Sequence, residues 1–419
     1  MEVVYAHMGK ALRITIISIV SLVLVMYGGV FFGYKALVNN KAQQEPNPPT
    51  MESVTNDRFT FGPAAHPTHP TTLKGFMHIL ADQVARYNKI AADLWPGNTL
   101  VNQTLIVEDL TNHAYWLIKP DGAFAEVTEK DVAHYGYERL AYPNGFTFFA
   151  GGMYLALDES ELSDPTTWEQ YLHLGTYSAL IWLIHEGFHE TQLAWADKDL
   201  ANGDREEHLD DLPARIQRAL LQKQLLHAVS RPGDTEAILA ALATYEDWKT
   251  RYPKDFEDSV NADRYEGTAY YFEIVASLLA AYPDQVTNLK DVDEGLALLA
   301  TREDAYIGHG VVMEGYTVGG FAAFLLDRLD KDWKERLMAD PGATPIEMLR
   351  QHFADQTLPA PRQLSQTETD SITKDITAAK ERISNISLDG DKPAEAKEDA
   401  STKILRYLYD HLYWWLPVK

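Results

Sequence analysis

The spacing of hydrophobic positions changes several times along this chain, and each change marks a different kind of element. Residues 14–34 are 21 consecutive uncharged and mostly apolar positions. As a helix rising about 1.5 Å per residue, they span roughly 31 Å, the thickness of a bilayer core. Residues 38–71 lose all periodicity and are rich in Pro, Asn, Gln and Thr, which reads as a tether, with His66 and His69 as linker residues. Leu73, Phe76, Met77, Leu80, Val84, Tyr87, Ala91 and Leu94 then recur at steps of three and four, predicting an amphipathic helix closed by Trp95, Pro96, Gly97 and Asn98. Short apolar runs follow at 104–107, 114–118, 145–149 and 153–157, the last two joined across Ala150 and Gly151. They predict a small, mainly antiparallel sheet. An exposed edge of such a sheet can align an extended peptide; the same runs also suit an ordinary core sheet.

From Asp164 and Pro165, a good N-cap and first-turn pair, the pattern becomes helical. Helices are expected through Leu174, from about Tyr177 to Leu200 with Thr176 as N-cap and a stop near Asn202 and Gly203, and over 212–229 and 235–252. The expected fold is α+β: an N-terminal transmembrane helix (1–37), a flexible linker (38–71), a helix plus small β-sheet lobe (72–163) and a predominantly helical lobe (164–419). Within the last, a polar stretch over 365–401 holds one helix and then a mobile loop over 388–400. Ile404, Leu408, Leu412 and Trp415 form an apolar row suited to a terminal helix docked on the core.

Composition narrows the function classes. The formal charge is −24 and no basic stripe appears, which argues against a nucleic-acid partner and fits a cationic substrate or simply a solvated acidic surface. With no cysteine, disulfides, a thiolate nucleophile and any Cys-ligated metal are excluded. A large acidic region after one apolar span fits export. The run lacks an Ala-x-Ala-like cleavage site close behind it, so an uncleaved single-pass anchor with an extracytoplasmic domain is expected, secretion after signal cleavage being the alternative. Lys10 and Arg13 before the run and Lys35 and Lys41 after it leave orientation undecided by charge. Asn102 and Asn385 begin glycosylation-type triplets, and no phosphate loop, dinucleotide fingerprint or Gly-x-Ser-x-Gly elbow is present. The sequence is silent on oligomeric state.

The candidate chemistry lies in the second expected helix of the last lobe. His185, Glu186 and His189 stand in the spacing His-Glu-x-x-His. On a helix, positions i and i+4 share a face, so both imidazoles can reach one ion while Glu186 handles a proton. Zinc with two histidines and a water needs a third protein ligand, here His, Asp or Glu. Glu266 is the strongest candidate, embedded among Tyr265, Gly267, Ala269 and Tyr270, with Ala269 small enough to let two helices approach. Glu273 competes for the role, followed by Asp197, Glu314 and His309. Glu190, Gln192, Glu273 and Asp197 are near enough in sequence to orient the histidines. In the Gly-rich stretch 306–321, Tyr316 or His309 can donate to an oxyanion, and so can Tyr270, although a glycine-rich packing helix with a core tyrosine explains the stretch equally well.

These two segments resemble the gluzincins of the large His-Glu-x-x-His metallopeptidase clan, whose third ligand is commonly the glutamate of a downstream Glu-x-x-Ala helix. The resemblance covers residues 184–192 and 264–273 and implies a zincin-like helical lobe. By position it makes His185, His189 and Glu266 zinc ligands and Glu186 the general base. Tyr-x-x-Gly helices that follow the metal site in several gluzincins are similar to the segment around Tyr316. One departure is that Glu266 lies 77 residues beyond His189, far more than in thermolysin-like members. The implied function is a membrane-anchored zinc metallopeptidase acting on peptide or protein substrates outside the cytoplasm. The alternatives are a non-catalytic tethered module that binds a peptide or a surface partner around a structural metal, and a metal-dependent amidase or esterase.

Overall fold

In the computed structural model the described residues are 53–62, 72–98, 102–140, 145–157, 178–195, 211–301 and 311–390. The expected membrane run 14–34, the helix after Asp164, residues Asp197 and His309, and the C-terminal apolar row lie outside them. No helix among the described residues is long and apolar enough to cross a membrane.

The architecture is α+β and mostly helical. A two-stranded hairpin, β1 (Val54–Thr55) and β2 (Thr60–Phe61), precedes helix α1 (Leu73–Leu94). The sheet is built from β3 (Thr104–Asp109), β4 (Ala114–Ile118), β5 (Phe124–Val127), β6 (Gly145–Phe149) and β7 (Gly152–Leu157), in the order β5-β4-β3-β7-β6. Every pairing is antiparallel except β3 with β7, so the expectation of a mainly antiparallel sheet matches. A short helix α2 (Glu129–Val132) lies between β5 and β6. The rest is helical: α3 (Ser178–Gln192), α4 (Leu212–Val229), α5 (Thr235–Arg251), α6 (Pro253–Ala281), α7 (Leu289–Leu299), α8 (Val311–Leu329), α9 (Trp333–Ala339), α10 (Pro345–His352) and α11 (Gln366–Gly390).

All eight periodic apolar positions of α1 are buried. On β3 the alternation of the pleat splits the core. Leu105 and Val107 join Met153 and Leu155 in the main core with the helices, whereas Ile106 packs with Tyr154, Ala156 and Tyr115 in a second cluster closed by Val132 and Leu140. The strand β5 was not foreseen: its sequence, Phe-Ala-Glu-Val, carries little apolar signal, and pairing with β4 supplies what propensity does not.

The tether expected over 38–71 needs correcting. Within it, Val54, Phe59 and Phe61 are buried in the main core, and the Phe61 ring meets Tyr282 edge-on at 4.9 Å. Arg58 pairs with Asp291 and Glu294 at the start of α7. Three aromatic or aliphatic side chains in a Pro- and Asn-rich neighbourhood are enough to anchor a hairpin once a core groove receives them, each worth roughly 1.5–3 kcal/mol on burial. Helix α3 also ends earlier than expected, at Gln192. Its chain tightens there through Ala194 N–H to Thr191 and Trp195 N–H to Gln192, which lets Trp195 stack on Trp95 at 5.9 Å. The polar stretch expected over 365–401 is helical from Gln366 through Gly390, past the start of the loop expected at Leu388.

The closest helix crossing is between α6 and α8. A Cβ added at Gly319 would lie 1.8 Å from the Asp263 carbonyl oxygen, and one at Gly267 would lie 2.4 Å from Gly319 Cα. Backbones can meet this closely only where no Cβ stands between them, which Gly319 and Gly267 provide. The glycine-rich stretch expected near Tyr316 is thus a packing seam, and that seam brings Tyr316 of α8 beside the carboxylates of α6.

Candidate metal centre

Three helices converge on one group. Helix α3 contributes His185 and His189, α6 contributes Glu266 and Glu273, and α8 contributes Tyr316. Helix α3 is oriented by its apolar face: Phe188 stacks on Phe272 of α6 at 4.4 Å and meets Trp95 edge-on at 5.0 Å, while the Thr191 hydroxyl donates to Asn98 at 3.0 Å. Both histidines therefore face α6.

His185, His189 and Glu266 are buried, each offers one ligand atom within 4.8 Å of the others, and together they can hold a metal ion. Glu266 Oε2 lies 3.4 Å from His185 Nε2 and 3.6 Å from His189 Nε2, and it is buried without a hydrogen-bond partner. An orphaned buried carboxylate oxygen beside two imidazole nitrogens is costly by itself, and a cation placed among them removes the cost. The donor set, two imidazoles and a carboxylate, suits zinc.

The other imidazole nitrogens are held from behind. His185 Nδ1 lies 2.7 Å from Glu273, and His189 Nδ1 lies 2.5 Å from the side-chain carbonyl of Gln192. Acceptors there place a proton on each Nδ1 and leave both Nε2 atoms facing Glu266. Each ring is also covered on one face by a tyrosine: Tyr316 stacks on His185 at 5.2 Å and Tyr265 on His189 at 4.2 Å, both nearly parallel. The Tyr316 hydroxyl is 3.2 Å from His185 Nε2.

Electrostatics follow from this packing. Burial opposes charge on His185, yet Glu266, Glu273 and Glu186 outweigh it and push its pKa up to about 10. Burial likewise opposes charge on Glu266, and the two histidines hold its carboxyl well below the usual range. Burial first, then the Glu266, Glu186 and Glu273 carboxylates, raise the Tyr316 phenol well above its ordinary value, so it remains a proton donor. Glu186 is half-buried and lies near enough to act on both His185 and Tyr316.

The structure thus brings His185, His189, Glu266, Glu273, Gln192 and Tyr316 together. Glu273, the competitor of Glu266 as ligand, sits behind His185 instead. Glu314, also a candidate ligand, is bound by Arg215 and Arg218 with no side-chain exposure, and Arg215 continues to Asp255 while Arg218 pairs with Asp263. Glu190 is half-buried beside His189, and burial raises its pKa. Tyr270 is buried with its ring 5.6 Å from that of Tyr316. Tyr265 and Thr268 were not foreseen; their proximity in sequence to Glu266 was the only signal. Set beside known proteins, the chain matches no family model, no curated protein and no solved structure.

Proposed function

We propose that the chain is a zinc metallopeptidase of gluzincin type. The observation that carries this reading is the convergence of the two imidazole Nε2 atoms on Glu266 Oε2, an oxygen without a hydrogen-bond partner, with Glu186 next to the first histidine. His185, His189 and Glu266 are the residues that would hold zinc. A zinc ion there supplies Lewis acidity toward a carbonyl oxygen and makes water easier to deprotonate.

The chain's own groups perform the rest. The Glu186 carboxylate accepts a proton from the attacking water and passes it to the nitrogen of the leaving amine. Tyr316, kept protonated by its surroundings, donates its hydroxyl hydrogen to the carbonyl oxygen as charge develops there. His309, outside the described residues, keeps the alternative donor role on sequence grounds alone. Glu273 and Gln192 hold the imidazoles so that neither ligand swings away.

A catalytic reading accords with the three side chains that form the group among the described residues, since catalytic zinc sites use three protein ligands. Structural zinc is almost always closed by four protein ligands. The single-pass anchor, the extracytoplasmic location and the peptide or protein substrate belong to the same proposal and rest on residues 14–34 and on the resemblance. Metal analysis of the purified full-length protein, with peptide hydrolysis by wild type and Glu186→Gln, tests it. We expect one zinc in both and hydrolysis only in the wild type; full activity in the variant or a zinc-free wild type overturns the reading. Ester and amide substrates in the same assay distinguish an amidase or esterase.

A further inference from the structure

Gln192 closes α3 and is fully buried. Its Nε2 lies 2.7 Å from the Tyr265 carbonyl oxygen and 2.7 Å from Thr268 Oγ1. Thr268 Oγ1 is in turn 2.7 Å from the Arg264 carbonyl oxygen and 3.3 Å from that of Tyr265. Only one assignment of protons satisfies all these contacts. Backbone carbonyls accept and never donate, so the single hydroxyl proton of Thr268 is committed to a carbonyl and its oxygen is free to accept. The side-chain amide of Gln192 has two hydrogens, one for Thr268 Oγ1 and one for the Tyr265 carbonyl. Its carbonyl oxygen is left facing His189 Nδ1 at 2.5 Å, and that oxygen can only accept. Flipping the amide would set its oxygen against the Tyr265 carbonyl with no hydrogen between them.

The sense of this chain of hydrogen bonds therefore runs from the backbone of α6 to an imidazole on α3. We propose that Gln192 and Thr268 are a positioning pair that locks His189 in the Nδ1–H tautomer, so that its Nε2 is ready to ligate a metal before one arrives. The two histidines are consequently held by different means. His185 has a carboxylate, Glu273, behind it, which raises its basicity. His189 has a neutral amide whose direction is set by backbone carbonyls, a device that adds no further charge to a site already holding Glu186, Glu266 and Glu273. Tyr265 contributes twice, through its carbonyl to Gln192 and through its ring on the imidazole.

The proposal rests on the metal-site reading, but the tautomer belongs to the metal-free chain and can be measured there. The full-length protein labelled with 15N-histidine reports it through the two-bond correlations of the imidazole nitrogens, the His189 signals being those lost in His189→Gln. We expect a single Nδ1–H form in the wild type. Gln192→Leu should mix the tautomers and weaken zinc binding, read by competition with a chromophoric chelator, on the order of 10–100-fold. Gln192→Glu keeps an acceptor toward Nδ1 and should retain the Nδ1–H form, but its second oxygen then meets the Tyr265 carbonyl and its charge joins the site, so the tautomer alone is read in that variant. Thr268→Val, which leaves only the Tyr265 carbonyl to direct the amide, should produce a partial shift of both readouts.

Unchanged tautomer and affinity in Gln192→Leu overturn the proposal. So does a mixture of tautomers in Gln192→Glu as large as in Gln192→Leu, since an acceptor at Nδ1 would then not set the proton. If the wild type binds no zinc the metal-site reading falls, and the nitrogen shifts of the metal-free variants still decide whether the lock exists.

Discussion

Replacing Gly319 with Ala should damage the metal site from the far side of a helix crossing. The new Cβ would stand 1.8 Å from the Asp263 carbonyl oxygen and 2.8 Å from Gly267 Cα, where ordinary contact begins near 3.4 Å. Both neighbours are backbone, so no rotamer change relieves the clash and α8 must move from α6 by roughly 1.5 Å. Two attachments of α8 are thereby disturbed: the Tyr316 hydroxyl 3.2 Å from His185, and the buried Glu314 carboxylate between Arg215 and Arg218. Overpacking of this kind costs about 1–3 kcal/mol, and loosening a buried ion pair adds to it, so a net loss of at least about 2 kcal/mol is expected. Helix propensity pulls the other way, favouring Ala over Gly by about 1 kcal/mol, which makes the sign of the result informative. Urea unfolding of the full-length protein gives the stability, and zinc titration of the same samples gives the affinity. Gly342→Ala is the control, since the nearest atom to its added Cβ is the Asp340 side-chain oxygen at 3.6 Å; it should stay within about 0.5 kcal/mol of wild type. A Gly319→Ala protein as stable as that control, with unchanged zinc affinity, refutes the account of the seam.

The remaining predictions concern protons, one orienting carboxylate and the N-terminal hairpin. His185 titrates near 10 in the folded metal-free chain, above its ordinary 6.5, so its stabilising contribution is complete below pH 6.5 and is lost as pH rises toward 10. With zinc bound, Nε2 no longer takes a proton. Thermal unfolding between pH 6.5 and 10 should therefore decline more steeply without zinc than with it, and parallel curves would contradict the assignment. Metal binding should release protons over the same range, measurable by calorimetry in buffers of different ionisation enthalpy. Glu273→Gln keeps an acceptor on His185 Nδ1 but removes the charge; we expect zinc affinity to fall on the order of 10-fold, and no change would count against an orienting role. Phe61→Ala should cost about 3–5 kcal/mol by opening a core cavity, whereas Arg58→Ala, whose side chain is half exposed, should cost at most about 1 kcal/mol; the reverse order would mean that ion pairs hold the hairpin.

Local pattern was a good guide wherever one face of an element met the core. The steps of three and four in α1 and the apolar runs of β3, β4, β6 and β7 placed those elements to within a residue or two. It failed where tertiary contact decides. The strand β5 exists because β4 offers it an edge, and the hairpin β1–β2 exists because Tyr282 and α7 receive Phe61 and Arg58, more than two hundred residues away in sequence. Composition around residues 53–62 is that of a linker, and nothing local marks these residues as held by the core.

The candidate site divides along the same line. The spacing of His185, Glu186 and His189 is a property of one helix and is visible in the sequence; Glu266 ranks first there by its apolar setting and the resemblance, while the contacts that decide among the carboxylates are not visible. Glu266, Glu273 and Glu314 all sit in apolar, Tyr- and Gly-rich surroundings, so burial alone does not rank them. What ranks them is what stands opposite. Glu314 meets Arg215 and Arg218 across a helix pair, and a buried carboxylate facing two guanidinium groups has no charge left for a metal. Glu273, seven residues and two turns beyond Glu266, reaches the back of the His185 ring, where the proton is. Only Glu266 faces the front of both rings with an oxygen that nothing satisfies. The glycines of α6 and α8 are what make this sorting possible. They bring α8 close enough for Glu314 to reach Arg215 and Arg218 on α4 and for Tyr316 to cover His185, leaving the third carboxylate facing the two imidazoles and no guanidinium.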